Sequence, residues 1–185
     1  MSALRALALA LAATLALTGA ARRAPTVFDL SDAVGKRAPA VTLTVSDGSP
    51  LAFEDLRGKP TYVFLFAGWC GPCQEAMPFV RSAYAKYGDR VRFVGVDVLE
   101  DTAAAHTAIA NAALPFTVAI YPIDQLDAIV APDAQLHAGT KYRIPADFLI
   151  DSDGVVRYAW HGLSVNDGGD PVDVLPSYLE KLGIR

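Results

Sequence analysis

Phe66-Ala67-Gly68-Trp69-Cys70-Gly71-Pro72-Cys73 decides the reading of this chain. It holds both cysteines of a 185-residue protein, three positions apart. An apolar run, Thr61 to Phe66, precedes it, and a helical pattern, Gln74 to Tyr87, follows. A Cys-X-X-Cys pair at a strand-to-helix junction points to dithiol–disulfide chemistry. The first N–H groups of a helix have no intrahelical partner and carry partial positive charge. A thiolate at Cys70 is stabilised there, which lowers its pKa below the ~8.5 of a free thiol. Cys73 lies about one turn into the helix and is expected to be less exposed. Cys70 is therefore the expected attacking thiol and Cys73 the resolving one. Pro72 suits a first helical turn, where its missing N–H is not needed. Gly71 keeps the turn open to an incoming backbone.

Two blander readings of the pair carry less. A structural zinc site needs about four ligands. No second cysteine pair exists, and His106, His137 and His161 show no ligand spacing. An inert disulfide closing so short a loop gains little chain entropy.

Trp-Cys-Gly-Pro-Cys resembles the thioredoxin motif, and its surroundings resemble the TlpA/ResA-like thiol-disulfide oxidoreductases of the AhpC/TSA–redoxin superfamily. Leu56-Arg57-Gly58-Lys59-Pro60 before the central strand and Glu75-Ala76-Met77-Pro78 after the cysteines are similar to stretches of that branch. The resemblance runs from about Ala38 to the C-terminus. It implies a thioredoxin-like α/β fold, a three-layer α/β/α sandwich with a mixed central sheet and an added N-terminal β-hairpin. It also implies an enzyme whose redox group is the Cys70–Cys73 couple, with no separate cofactor and no metal. Partners implied are disulfide-bearing client proteins and a DsbD-like membrane electron donor. Cytochrome c maturation is a typical client process of the branch.

Residues 1–24 read as a secretory signal peptide or an N-terminal membrane anchor. Arg5 is followed by an Ala- and Leu-rich run, Ala6 to Ala21, with small residues at Thr18 and Ala20. The run is slightly shorter than the ~20 residues of a full membrane span. Residues 25–37 read as a linker and 38–185 as the thioredoxin-like domain. The chain is 52% apolar and 19% charged, as a globular domain is. Three of its 16 basic residues and none of its 20 acidic ones lie in residues 1–24, so the remainder carries a net charge of −7. That balance argues against nucleic acid as a partner. An exported chain with two cysteines fits the cell envelope or periplasm, where a dithiol must be kept reduced to act as a reductant.

Val41 to Val45 alternates as a strand, Ser46 to Ser49 turns, and Leu51 to Phe53 returns. Tyr62 to Phe66 is apolar on both faces, as a strand sandwiched between layers should be. Val91 to Val98 is the next strand and Ala103 to Ala113 a crossover helix, which makes the two strands parallel. His106 on that helix reads as a solvated residue. Thr117 to Tyr121 is a short strand. Pro122 to Gly139 reads as an insertion near the rim of the site. Asp151 to Gly154 turns into a strand, Val155 to Trp160. Asn166 to Pro171 is a loop, and Val172 to Leu182 a closing helix.

In thioredoxin-like proteins a dipeptide matching Ile144-Pro145 has a cis bond and faces the cysteines. Cis bonds are essentially confined to proline. The backbone of Ile144 is then free to pair with an extended client segment. Cys73 also needs a proton acceptor. Cytosolic thioredoxins place an aspartate at the position of Phe64, so that acid is missing here. The envelope branch uses a glutamate after the next strand, which places Glu100 in the role. Asp147 departs from the family pattern. Alternation puts it on one face with Leu149, which leaves two readings, a second buried acid near Phe64 or a hydrogen-bonded structural residue.

Two other functions stay open at this point. A peroxidase of the peroxiredoxin type calls for Thr three residues before its cysteine and Pro seven before, where this chain has Ala67 and Val63. A Sco-like copper chaperone uses Cys-X-X-X-Cys and a distal His, for which His161 is the nearest candidate.

Overall fold

A computed structural model describes residues 33–98, 102–121, 144–162, 164–165 and 171–185. The leader, Glu100, His137 and the Pro122–Gly139 insertion lie outside the described residues, as does most of the Asn166–Pro171 loop.

Seven strands form one mixed sheet: β1 (Thr42–Val45), β2 (Pro50–Ala52), β3 (Thr61–Phe66), β4 (Arg92–Val98), β5 (Thr117–Tyr121), β6 (Ala146–Ile150) and β7 (Val156–His161). Their spatial order is β2-β1-β5-β4-β3-β6-β7. Strands β3, β4 and β5 run parallel, joined by α1 (Gly71–Tyr87) and α2 (Thr102–Ala112). Each parallel step needs such a crossover, because a tight turn cannot return the chain in the same direction. Strand β6 pairs antiparallel with β3, and β7 with β6. The β1–β2 hairpin joins the sheet antiparallel to β5, as the expected N-terminal addition.

The central strand is buried along its whole length, which its unbroken apolar run anticipates. Strand parity divides the core. Val63, Leu65, Val94, Val96, Phe148 and Ile150 face one side, with Ala33 and a 3-10 turn (Phe53–Leu56) packed against them. Tyr62, Phe64, Phe66, Phe93 and Leu149 face the other. There they meet Cys73, Ala76, Met77 and Val80 of α1, Ala112 of α2, and Leu175 and Leu179 of α3 (Leu175–Lys181). The cysteines thus lie on the second side.

Two boundaries differ from the sequence reading. Residues 33–37, assigned to the linker, pack on the domain. Gly35 N–H donates to Val156 O at 2.8 Å, Val156 N–H to Lys36 O at 2.9 Å, and Arg37 bridges Val155. Val156 stands on an outer strand, whose free backbone groups take up any neighbouring chain. The closing helix starts at Leu175 and not at Val172. Pro171–Val172 instead forms β9, paired with β8 (Ser164–Val165). An oxygen of Asp173 then accepts the Leu175 N–H at 3.1 Å and opens the helix.

Candidate active site

Cys70 is the N-cap of α1, in extended conformation, and Cys73 lies in the first turn. The two are joined as a disulfide, with Cα atoms 5.2 Å apart. The Cys73 N–H points at Cys70 Sγ from 3.2 Å. A sulfur at this place receives a helix-start N–H donor, the condition that stabilises a thiolate once the bond is opened. The Gln74 side chain donates to Gly68 O at 2.8 Å and ties the entering loop to the helix. Pro72 occupies the first turn.

Exposure separates the two sulfurs only slightly: Cys70 is 4% exposed and Cys73 fully buried. The open surface belongs to their neighbours. Trp69 is 63% exposed, an unusual state for so large an apolar ring. A Cβ on Gly71 would meet nothing within 4 Å, so this side of the disulfide is clear. The Ile144–Pro145 bond is cis, and Ile144 O lies 3.7 Å from Cys70 Sγ. Pro145 itself is buried. Trp69, Cys70, Gly71 and the Ile144 backbone thus bound one approach to the disulfide.

Asp147 is 4% exposed and is paired in register with Phe64 across β3 and β6. The Tyr62 hydroxyl donates a short hydrogen bond to its carboxylate. Burial pushes the Asp147 carboxyl up to about 8; the Tyr62 bond pulls the other way and the nearby Asp173 charge adds to the rise. Burial also raises the Tyr62 phenol well above its usual range, with the Asp147 charge behind it. Asp173, half-buried, is raised by desolvation against the opposing Leu175 N–H and Lys86 charge.

Sequence reasoning placed Asp147 but missed its companions. Tyr62 reads as one more apolar residue of β3, although a buried tyrosine normally finds a partner for its hydroxyl. Asp97, 1% exposed and in register with Phe66, is a further buried acid at the end of β4. Its signal was an acid inside a Val-rich strand. His106 is exposed on α2, and His161 ends β7, in register with Ala146. Among the described residues no group of three or more His, Cys, Asp or Glu is placed to hold a metal. Among them, too, no helix is long and apolar enough to cross a membrane.

The Redoxin family matches residues 33–167. The thiol-disulfide oxidoreductase ResA of Bacillus cereus is 32% identical over 150 residues, spanning 80% of this chain and 78% of the relative. A thiol:disulfide interchange protein DsbE from Chlorobium tepidum superposes with a TM-score of 0.60 at 27% identity, over 81% of this chain and 96% of that one. The thioredoxin domain of a Bacteroides vulgatus oxidoreductase reaches a TM-score of 0.64 at 19% identity, over 81% and 97%, a likeness of fold alone. With a disulfide seated at the start of α1 and relatives of this kind, the chain belongs to the Redoxin family, as a ResA-like thiol-disulfide oxidoreductase with a thioredoxin-like fold.

Proposed function

We propose that this enzyme works in the cell envelope as a reductant of client-protein disulfides. One observation supports this most: a disulfide at a helix start, bordered by an exposed Trp69, an open Gly71 and the Ile144 carbonyl. In the reduced enzyme, Cys70 thiolate attacks one client sulfur and the second client sulfur leaves as a thiolate. Cys73 then attacks Cys70 Sγ, the Cys70–Cys73 bond forms, and the client leaves reduced. Trp69, Gly71, Pro72 and Ile144 are the proposed client contacts, with Pro145 setting the Ile144 backbone. The couple itself is the redox group, with no further cofactor. Glu100, two residues beyond β4, is proposed to accept the Cys73 proton.

A membrane dithiol donor of the DsbD type is the proposed source of electrons, and cytochrome c maturation the proposed client process. Residues 1–24 would direct export, either cleaved or retained as an anchor through residues 6–21. The reduction potential of the Cys70–Cys73 couple tests the direction of transfer. A value near thioredoxin's ~−270 mV supports a reductant, and one near ~−120 mV makes the protein an oxidant.

A further inference from the structure

Behind the disulfide, on the same side of the sheet, a cleft of about 40 Å³ lies between α1, β6, β7 and the residues entering α3. Ala76, Val80, Tyr62, Trp160, Asp173 and Asp147 line it. That volume has room for water. Asp147, Tyr62 and Asp173 supply the polar lining that would hold it. Ala76 stands three residues after Cys73 on α1, and residues at that spacing are neighbours on one helix face. Phe64 packs in the same cluster as Cys73 and is in register with Asp147. The cleft thus joins the wall next to Cys73 to a buried carboxyl.

We infer that Asp147 is a second proton-carrying residue for Cys73, on the β6 side of the sheet and in addition to the proposed Glu100, exchanging its proton through water in this cleft. The inference rests on the dithiol–disulfide reading of the site. In reduction of the enzyme, a thiolate of a dithiol donor attacks Cys70 Sγ. A donor–Cys70 disulfide forms, the Cys70–Cys73 bond breaks, and the electron pair stays on Cys73 sulfur. That sulfur, fully buried, takes the Asp147 proton, leaving Asp147 a carboxylate. A second donor sulfur then displaces Cys70. When the enzyme reduces a client, the steps reverse: the Asp147 carboxylate takes the proton back as Cys73 closes on Cys70.

The groups facing Asp147 fit this exchange. Tyr62 on β3 donates to the carboxylate form. Asp173 ahead of α3 disfavours it, with Lys86 of α1 offsetting part of the Asp173 charge. Strand β7 presents Trp160 in register with Asp147, and His161 one residue on. Burial keeps the carboxyl protonated to about pH 8 in this disulfide form, which is the state a proton donor requires. Asp147 acts through water, so its test needs more than a loss of rate.

The experiment is stopped-flow reduction of the full oxidised chain by dithiothreitol, followed by Trp fluorescence from about pH 6 to about pH 10. Asp147→Asn keeps an acceptor for Tyr62 but cannot carry the proton. It should slow the step about 10²-fold near neutrality and lose the wild-type inflection, with Asp147→Glu restoring both. A profile for Asp147→Asn that superposes on wild type overturns the inference, while a wild type that dithiothreitol does not reduce overturns the site reading with it. Should Asp147→Asn not fold, carboxyl ¹³C NMR of the wild type decides. The expected signal titrates near pH 8 in the oxidised chain and shifts its midpoint on reduction. A carboxyl already ionised at pH 6 in both redox states overturns the inference.

Discussion

Phe64 and Asp147 stand opposite each other in register across β3 and β6, on the side of the sheet that packs against the cysteine helix. At this position β3 carries a phenyl ring. Its neighbour on the adjacent strand carries the acid. Both are buried, Phe64 fully and Asp147 at 4% exposure.

Burying this acid has a consequence for stability. The Asp147 carboxyl is raised from 3.8 to about 8 by burial, so the folded state holds a proton that the unfolded state has lost between those values. For an acid shifted upward the unfolded chain binds fewer protons, and stability falls as pH rises across that window. The whole effect is on the order of a few kcal/mol. Asp147→Asn has no such proton to lose. Chemical denaturation at several pH values should show the variant gaining on wild type from about pH 4 to about pH 8, then running parallel to it. A constant difference over that range would place the carboxyl in an ordinary, ionised state.

Two glycines should respond oppositely to the same change. A Cβ on Gly88 would lie 2.8 Å from Tyr84 O and 2.9 Å from the Tyr84 ring, so Gly88→Ala must displace backbone at the end of α1. A loss of about 1–3 kcal/mol is expected. A Cβ on Gly71 meets nothing within 4 Å, so Gly71→Ala should melt within a few degrees of wild type. Its effect should appear as slower reduction of a folded protein client, with a small linear disulfide unaffected. Thermal melts and the two substrate assays read this out, and equal rates on both substrates would remove Gly71 from the client surface.

Trp69 makes a related prediction. Its ring is 63% exposed, so Trp69→Ala should change stability by no more than about 0.5 kcal/mol. The KM for a protein client should rise several-fold while the rate with dithiothreitol holds. Unchanged KM would mean that clients approach from elsewhere.

The fold was largely legible from the chain because two periodicities carry it. The doubly buried run of β3, the alternation of β1 and the helical spacing after Cys73 each impose one local structure. The site was legible where chemistry is tied to chain position: a cysteine pair at a helix start, and a proline facing it. What escaped depends on neighbours that only the register brings together. Tyr62 and Asp147 are 85 positions apart, and their bond follows from antiparallel pairing of β3 with β6. The packing of residues 33–37 on β7 escaped for the same reason, since their composition is that of a linker while their backbone satisfies an outer strand. α3 starts three residues later than the apolar spacing suggests, because the backbone of Val172 is taken by β8.

The division of labour between the two cysteines is the central claim, and trapping tests it directly. Cys73→Ser leaves the attacking thiol and removes the resolving one. Incubated in reduced form with a disulfide-bearing client protein, it should accumulate a mixed disulfide that runs as a higher band on non-reducing gels and collapses with dithiothreitol. Cys70→Ser, whose remaining thiol is fully buried, should accumulate little. Equal trapping by the two variants, or trapping by Cys70→Ser alone, would contradict the assignment.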